Sequence, residues 1–402
     1  MEETLKLALV FVCLMIGFGI GKQQWIAVVC GVVATVVIFG MAVGDAFRIT
    51  LESLTSDLTV TTLLAFYTIT IIQRMLEKRD QIDLAQRSLG GLFNNRRINT
   101  ALAPVIIGIL PSAGAVTLCG AIVDKATGDY LTTEEKTFVT SYYRHIPEAI
   151  LPTYASIIIG LQLTRVPLSS FLLGMLPMVA VLFLLGYYFY LRKLPAETGV
   201  PHSDDKRRDA ANLVRSIWSI ILSIALVVGF EIVVYKAVLV VVALNALANR
   251  FSPREMLEVA ISAFETKLII TTALILVFKD VIVETGAMTS LPATFARLPI
   301  PLFLTYFLIF FFGTLLVGQQ ATNVIGLPLA FATVPDAGTP LFVLLMSCGY
   351  ASMQISPTHV CLAVVTGYFK TGFASLIRLT LPVIGCFMAI LLGYYLLWVA
   401  LA

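Results

Sequence analysis

The chain has 402 residues, 58% of them hydrophobic and only 13% charged, with a mean hydropathy of +0.93. Soluble domains carry about 25% charged residues, and a soluble chain this apolar would expose large adhesive patches, so that class is excluded. A formal net charge of +3 is too small to suggest a nucleic-acid partner. The placement of charge along the chain carries the information instead.

A membrane span needs about 20 largely apolar residues. Ten segments qualify: 5–20, 25–43, 58–76, 147–163 and 169–191, then 213–234, 237–248, 267–283, 341–365 and 375–401. The start, MEETLK, is acidic and does not read as a cleavable signal peptide, so the first span is expected to begin near Met1. Cys13, Cys30, Cys119, Cys348, Cys361 and Cys386 all lie in apolar runs without C-x-x-C spacing. They read as small buried hydrophobes, not as disulfides or metal ligands.

Two further apolar regions, 98–123 and 301–333, are interrupted. The first carries ILPSAGAVTL at 109–118. Residues 98–110 make about 20 Å of helix, short of about 30 Å of hydrocarbon. Pro111 and Gly114 allow a turn, and residues 115–123 return. In the second, residues 302–317 descend, Gly318 to Asn323 (GQQATN) form a tip, and residues 324–332 return. Irregular backbone at membrane depth is tolerated only where protein buries it or water reaches it, so both regions are expected to be re-entrant hairpins.

The only long polar stretch, 192–212, separates two similar halves. LTVTTLL (58–64) matches LIITTAL (268–274), ILPTYAS (150–156) matches ISPTHVC (355–361), and the broken regions correspond at a similar offset. Five spans per half is an odd number, so the second half enters the membrane inverted. Putting the linker in the cytoplasm places 21 of 27 basic residues inside, in keeping with the positive-inside rule; Lys6, Arg48, Arg165, Lys236, Lys279 and Arg297 remain outside. A hairpin that crossed fully would flip every later loop and weaken that bias. The expected architecture is an all-α polytopic membrane protein of two inverted repeats, each with five spans and one re-entrant hairpin. Residues 1–191 form the N-terminal repeat with hairpin 98–123. Residues 192–212 form a cytoplasmic linker. Residues 213–402 form the inverted repeat with hairpin 301–333, and both termini are extracytoplasmic.

Two tips entering from opposite faces are the pattern of a secondary transporter's midplane site. Helix ends there present free N–H groups suited to an anion and free carbonyls suited to a cation. The candidate substrate-binding residues are Ser112, Ala113, Gly114 and Thr117 in the first hairpin and Gln319, Gln320, Thr322 and Asn323 in the second. Pro152-Thr153 and Pro357-Thr358 match across the repeat, and a proline inside a span frees carbonyls. Thr153, Thr358 and His359 therefore join the substrate candidates. Ser112, Thr153, Ser156, Asn323, Ser356, Thr358 and His359 form a candidate set for coupling Na+ or H+. Plain capping or kinking is the competing reading for each of them. His359 lies near the centre of its span and can titrate near neutral pH. Arg144, His145 and Glu148 read as a solvated helix start, and Lys279-Asp280 as a mutual pair. No arginine occupies a tip, which favours a small organic anion over a large multivalent one. No metal site and no cofactor other than the coupling ion are expected.

LPSAGAV (110–116), RHIPEAILPTYASIIIG (144–160) and GYASMQISPTHVCLA (349–363) together resemble an uncharacterised family of prokaryotic integral membrane permeases. That family is grouped with the ion transporter superfamily, whose relatives include gluconate, C4-dicarboxylate and divalent-anion/sodium transporters. The resemblance covers nearly the whole chain. It implies a homodimer in the prokaryotic inner membrane and elevator-type alternating access, with a scaffold from the early spans of each half. Sodium-coupled relatives carry Ser-Asn-Thr at each tip, whereas this chain has Pro-Ser-Ala-Gly and Ala-Thr-Asn, so the sodium sites do not carry over residue by residue. The expected function is ion-coupled secondary transport of a small carboxylate-type anion, with the lipid bilayer as its surroundings. Alternatives are a lipid-headgroup carrier, a channel and, least of all, a membrane-embedded enzyme. Ser356 and His359 are neighbours on a helix face, but no orienting carboxylate or oxyanion donor accompanies them.

Overall fold

Local chemistry sets where several helices begin. Asn95 accepts from the N–H groups of Arg97 and Ile98 at 3.0 and 3.3 Å and caps the helix Arg96–Gly108. Thr132 and Glu135 form a reciprocal capping box before Thr133–His145. Ser252 and Glu255 form another before Pro253–Ser262, where Pro253 takes the first helical position.

The computed structural model describes residues 2–21, 24–92, 95–109, 115–197, 205–230, 232–287, 299–334, 337–356 and 359–401. Among the described residues there are helices and no strands. In the first half the α-helices are α1 Glu2–Gly21, α2 Gln24–Phe39, α3 Val43–Thr55, α4 Asp57–Lys78, α5 Gln81–Leu92, α6 Arg96–Gly108, α7 Ala115–Thr127, α8 Thr133–His145, α9 Ala155–Thr164 and α10 Leu168–Phe189. The second half carries α11 Lys206–Phe230, α12 Val234–Ala248, α13 Pro253–Ser262, α14 Thr266–Glu284, α15 Leu302–Val317, α16 Gln319–Thr333, α17 Thr339–Met353, α18 Val360–Phe369 and α19 Phe373–Leu401. Apart from α5, helix starts in the first half recur in the second, in order, at offsets of 204–210 residues among the described residues. Helices α4, α10 and α19 and the segment Lys206–Val227 are each long and apolar enough to cross a membrane.

The structure corrects several boundaries. The second expected span ends at Phe39, because Gly40 at φ +66° turns the chain and Met41 N–H returns to Val36 C=O at 2.9 Å, closing a glycine C-cap. Residues 206–212 of the expected linker are the first turns of α11. Residues 81–92 and 133–145, which lie between the expected spans, are helices. The expected span 147–163 is helical in its second part only: Ile146–Ala149 is a 3-10 turn, and α9 starts at Ala155. The expected span 341–365 divides into α17 and α18. Both breaks fall at the paired Pro-Thr positions.

In the hairpin regions α6 packs on α7, and α15 packs on α16. The expected six-residue tip of the second is a single residue. Gly318, at φ +87°, joins α15 to α16, and Gln319 to Asn323 already form the first turn of α16. A side chain at that φ would be strained, so glycine is required there. Pro111, Ser112, Ala113 and Gly114 lie outside the described residues, as do Pro357 and Thr358 and the side chain of Thr117.

The chain divides into two compact units: residues 1–67, 158–167 and 264–358, and residues 68–157, 168–263 and 359–402. In the first unit α14 packs on α2, α3 and α16, and α15 on α17. Ile49 of α3 is buried against Val277 and Val281 of α14. In the second unit α8 is central: α6, α7, α10, α18 and α19 all pack on it. From Thr137 to His145 every residue of α8 is buried.

Candidate functional site: two buried polar clusters

The first cluster lies in the second unit, at the C-terminal end of α8. Arg144 and His145 are 2% and 1% exposed, where the sequence suggested a solvated helix start. Their polarity is absorbed locally. Arg144 Nη1 donates to His145 Nε2 at 3.3 Å and to Cys361 Sγ at 3.6 Å. His145 Nδ1 is 2.6 Å from Ser141 C=O, an acceptor only, so Nδ1 carries the proton and Nε2 presents a lone pair. His359, the N-cap of α18, places its Nε2 2.9 Å from that lone pair. Half-buried Glu148 is close enough for its charge to act on Arg144. The expected site residue His359 is thus joined to three residues that sequence reading left out: Arg144, His145 and Cys361.

The same cluster holds the C-terminal end of α6. Tyr154 Oη donates to Gly108 C=O, and a Cβ at Gly108 would come within 2.0 Å of Arg144 C=O. The last turn of α6 is therefore seated against the backbone of Arg144. Glycine is needed for that approach.

Donor atoms of His145, His359 and Cys361 lie within 4.8 Å of one another, a set of metal-ligand types. Arg144 Nη1 already donates to two of them. A cation bound there would have to displace a guanidinium from its lone pairs, so the arrangement favours an anion over a metal.

Of the other candidates in this unit, Ser156 is buried. Thr153 Oγ1 has no hydrogen-bond partner among the described residues. It opens onto an apolar groove with Ile69, Ile72, Ile220 and Val227. Among the described residues no side-chain hydrogen bond joins Thr153 to the Arg144 cluster.

The second cluster lies in the first unit, on the first turn of α16. Gln319 and Asn323 share one neighbour: Gln319 Nε2 donates to Met346 C=O at 3.1 Å, and Asn323 Nδ2 lies 3.4 Å from Met346 Sδ. Gln319 Oε1 has no partner among the described residues. Gln320 is half-buried. Thr322 Oγ1 back-bonds to Gly318 C=O at 3.0 Å and so acts as a local cap. Ser356 Oγ donates to Leu315 C=O at 2.8 Å. It continues a ladder in which Cys348 and Ser352 donate to Phe307 and Phe311 carbonyls at 3.1 and 2.5 Å. Small residues at every fourth position let α17 approach α15 closely enough for these bonds. Lys279 and Asp280 pair at 2.7 Å, as the sequence suggested.

Two solved structures with a similar fold are described as transporters or efflux pumps. The chain is similar to the YdaH transporter of Alcanivorax borkumensis, with a TM-score of 0.60, 14% identity and coverage of 89% of this chain and 88% of that one. It is also similar to MtrF of Neisseria gonorrhoeae, described with a class of antimetabolite efflux pumps, with a TM-score of 0.58, 14% identity and coverage of 88% and 83%. At that identity the likeness establishes fold alone: a multi-pass, all-helical membrane protein of transporter architecture. No curated protein matches the chain. Residues 4–400 match the family model described as protein of unknown function DUF401, and the chain belongs to that family.

Proposed function

We propose that the protein is a secondary active transporter of a small organic anion of carboxylate type, with Arg144 as the counter-charge. One observation carries this reading. The Arg144 guanidinium is buried at the C-terminal end of α8, where it hydrogen-bonds an imidazole and a thiol. Charged groups in membrane interiors are costly, and those that remain mark binding sites or transport pathways. A carboxylate can engage a guanidinium through two parallel N–H bonds.

Coupling is to a proton or a sodium ion, and the geometry supports the proton. His359 gives its Nε2–H to His145, which leaves Nδ1 as the basic atom of the pair. Arg144, beside the pair, is itself within reach of the charges of Glu148 and Tyr154 after α8, Cys119 on α7 and Cys361 on α18. A proton on His359 or Glu148 raises the local positive charge by one and so offsets the charge of an incoming carboxylate. The sodium reading keeps Thr153, Ser156, Asn323, Ser356 and Thr358, with Ser112, as oxygen donors. We further propose kinship with the ion transporter superfamily, inverted repeats with two re-entrant hairpins, a homodimer, elevator-type alternating access, and a prokaryotic cytoplasmic membrane with both termini outside.

The test is a thermal-shift screen of purified protein against small mono- and dicarboxylates and phosphate, with and without sodium. Ligand that binds the native state raises apparent stability by about 2.7 kcal/mol at a hundredfold excess over Kd. A carboxylate should shift the wild type and leave Arg144→Gln unshifted. If the folded variant keeps the full shift, Arg144 is not the anion site. If no carboxylate or phosphate shifts the wild type, the substrate class is wrong.

A further inference from the structure

Helices α3 and α13 divide their surfaces into the same three sectors. Residues in an α-helix advance about 100° each. On α3 the exposed apolar residues Val43, Phe47, Leu51 and Leu54 fall within about 80° of one another. Ile49 and Ser53 are buried and face the protein. Asp45, Arg48 and Glu52 take the remaining sector, where Arg48 pairs with Glu52 at 3.0 Å and Glu284 at 3.6 Å. On α13, Leu257 and Ile261 are 61% and 68% exposed, and Val259 is buried. Arg254, Glu255 and Glu258 form its polar sector, with Glu255 on Arg79 at 2.8 Å and Glu258 on Lys78 at 2.6 Å. Leu257 and Ile261 occupy the positions in the second half that Phe47 and Leu51 occupy in the first, and Val259 that of Ile49.

A helix with one face on protein, one exposed apolar face and one ionic face meets three environments. We propose that α3 and α13 both lie in the interfacial zone of the bilayer, each with its apolar sector at the acyl boundary and its ionic sector toward water. Their lengths fit: 13 and 10 residues, about 20 and 15 Å, are too short to cross. The preceding helices carry exposed apolar stripes as well, Val29, Val33 and Val37 on α2 and Val240, Leu244 and Leu247 on α12. The recurrence decides between occupants. A homodimer contact uses one self-complementary patch, and nothing obliges the matching helix of the other half to copy it. A bilayer presents the same zone to every segment that leaves it.

The experiment uses the full chain with Trp25, Trp218 and Trp398 replaced by Phe, reconstituted in phosphatidylcholine–phosphatidylglycerol vesicles. Single tryptophans are placed at Phe47→Trp and Leu257→Trp, and in the ionic sectors at Thr55→Trp and Ser262→Trp. Leu51→Trp and Ile261→Trp repeat the readout should either first variant fail to fold. Lipid brominated near the headgroup should quench the apolar-sector tryptophans at least twofold more than the ionic-sector ones, with the order reversed for aqueous iodide. Iodide quenching at Phe47→Trp and Leu257→Trp equal to the controls overturns the proposal, because the stripes are then simply solvated. Insensitivity to both quenchers overturns it in favour of a contact with a second copy. Lipid quenching in only one half overturns it as well, because the argument rests on recurrence.

Discussion

The Nε2 atoms of His145 and His359 lie 2.9 Å apart, with the two rings edge to face. Only one proton fits between two nitrogens at that distance. His145 spends its own N–H on Ser141 C=O, so the shared proton belongs to His359. His359→Gln keeps an N–H donor toward His145 and removes the basic Nδ1. If His359 takes the coupling proton, the variant should transport with a flat pH profile between pH 5 and 8, where the wild type changes several-fold. His145→Gln disturbs the acceptor shared with Arg144 and should lower uptake at every pH. Initial rates in proteoliposomes distinguish the two. A wild-type profile in His359→Gln would make His359 a structural donor.

Gly108 offers a steric test of the same region. An added methyl would stand 2.0 Å from Arg144 C=O, which is backbone and cannot rotate away. The α6 end must shift, and overpacking of this kind costs about 1–3 kcal/mol. Gly108→Ala should lower the melting temperature and, because Arg144 moves with its backbone, weaken any carboxylate-dependent stabilisation. Gly367→Ala, where a Cβ meets nothing within 4 Å, is the matched control and should do neither.

The order of helices was legible in the sequence; the principal candidate cluster largely was not. Apolar runs gave the spans, and Gly318 and the paired Pro-Thr positions gave the breaks, because those signals are local. The burial of α8 is not legible in the sequence for a physical reason. TEEKTFVTSYYRH is polar and reads as exposed, whereas five helices of the same chain wrap this segment and supply its partners. Tyr142 and Tyr143 donate to the Leu182 and Phe183 carbonyls, and Ser141 C=O serves His145. The available signal was the capping box at Thr132 and Glu135, which marks a helix start whatever surrounds it. Placing Arg144 beside His359 needs contacts between residues more than 200 apart, which no local pattern encodes.

The hydroxyl and thiol ladder of the first unit predicts graded losses. Ser352 Oγ to Phe311 C=O is its shortest bond, and Ser352 is buried. Each such bond contributes about 0.5–1.5 kcal/mol net. Ser352→Ala removes the donor and leaves little void, so a loss near that range is expected in thermal melts. Ser352→Val adds bulk where α17 meets α15 and should cost more than the alanine. If valine is the milder of the two, close approach of α17 to α15 does not limit this contact.

The Arg79–Glu255 pair sets a pH signature outside the spans. Glu255 accepts from Arg79 Nη1 at 2.8 Å and from the Ser252 backbone and hydroxyl at 2.8 and 2.9 Å. The Arg79 hydrogen bond, followed by those of Ser252, holds the Glu255 carboxyl down at about 2, below its ordinary 4.5, and raises Arg79 in turn. A depressed carboxylate stabilises the fold fully above its unfolded value, and that contribution fades as pH falls from about 4.5 toward 2. Wild type should therefore melt higher than Glu255→Gln at pH 7, and the gap should close on acidification. Salt should narrow it at pH 7, since the pair is partly solvated. Arg79 also lies 4.0 Å over the Phe251 ring and donates to Asn249 C=O, so Arg79→Lys should lose more than Glu255→Gln at pH 7. Parallel melts of the three proteins at pH 7, 4 and 3 check the ordering, and a constant gap between wild type and Glu255→Gln across that range would refute the assignment.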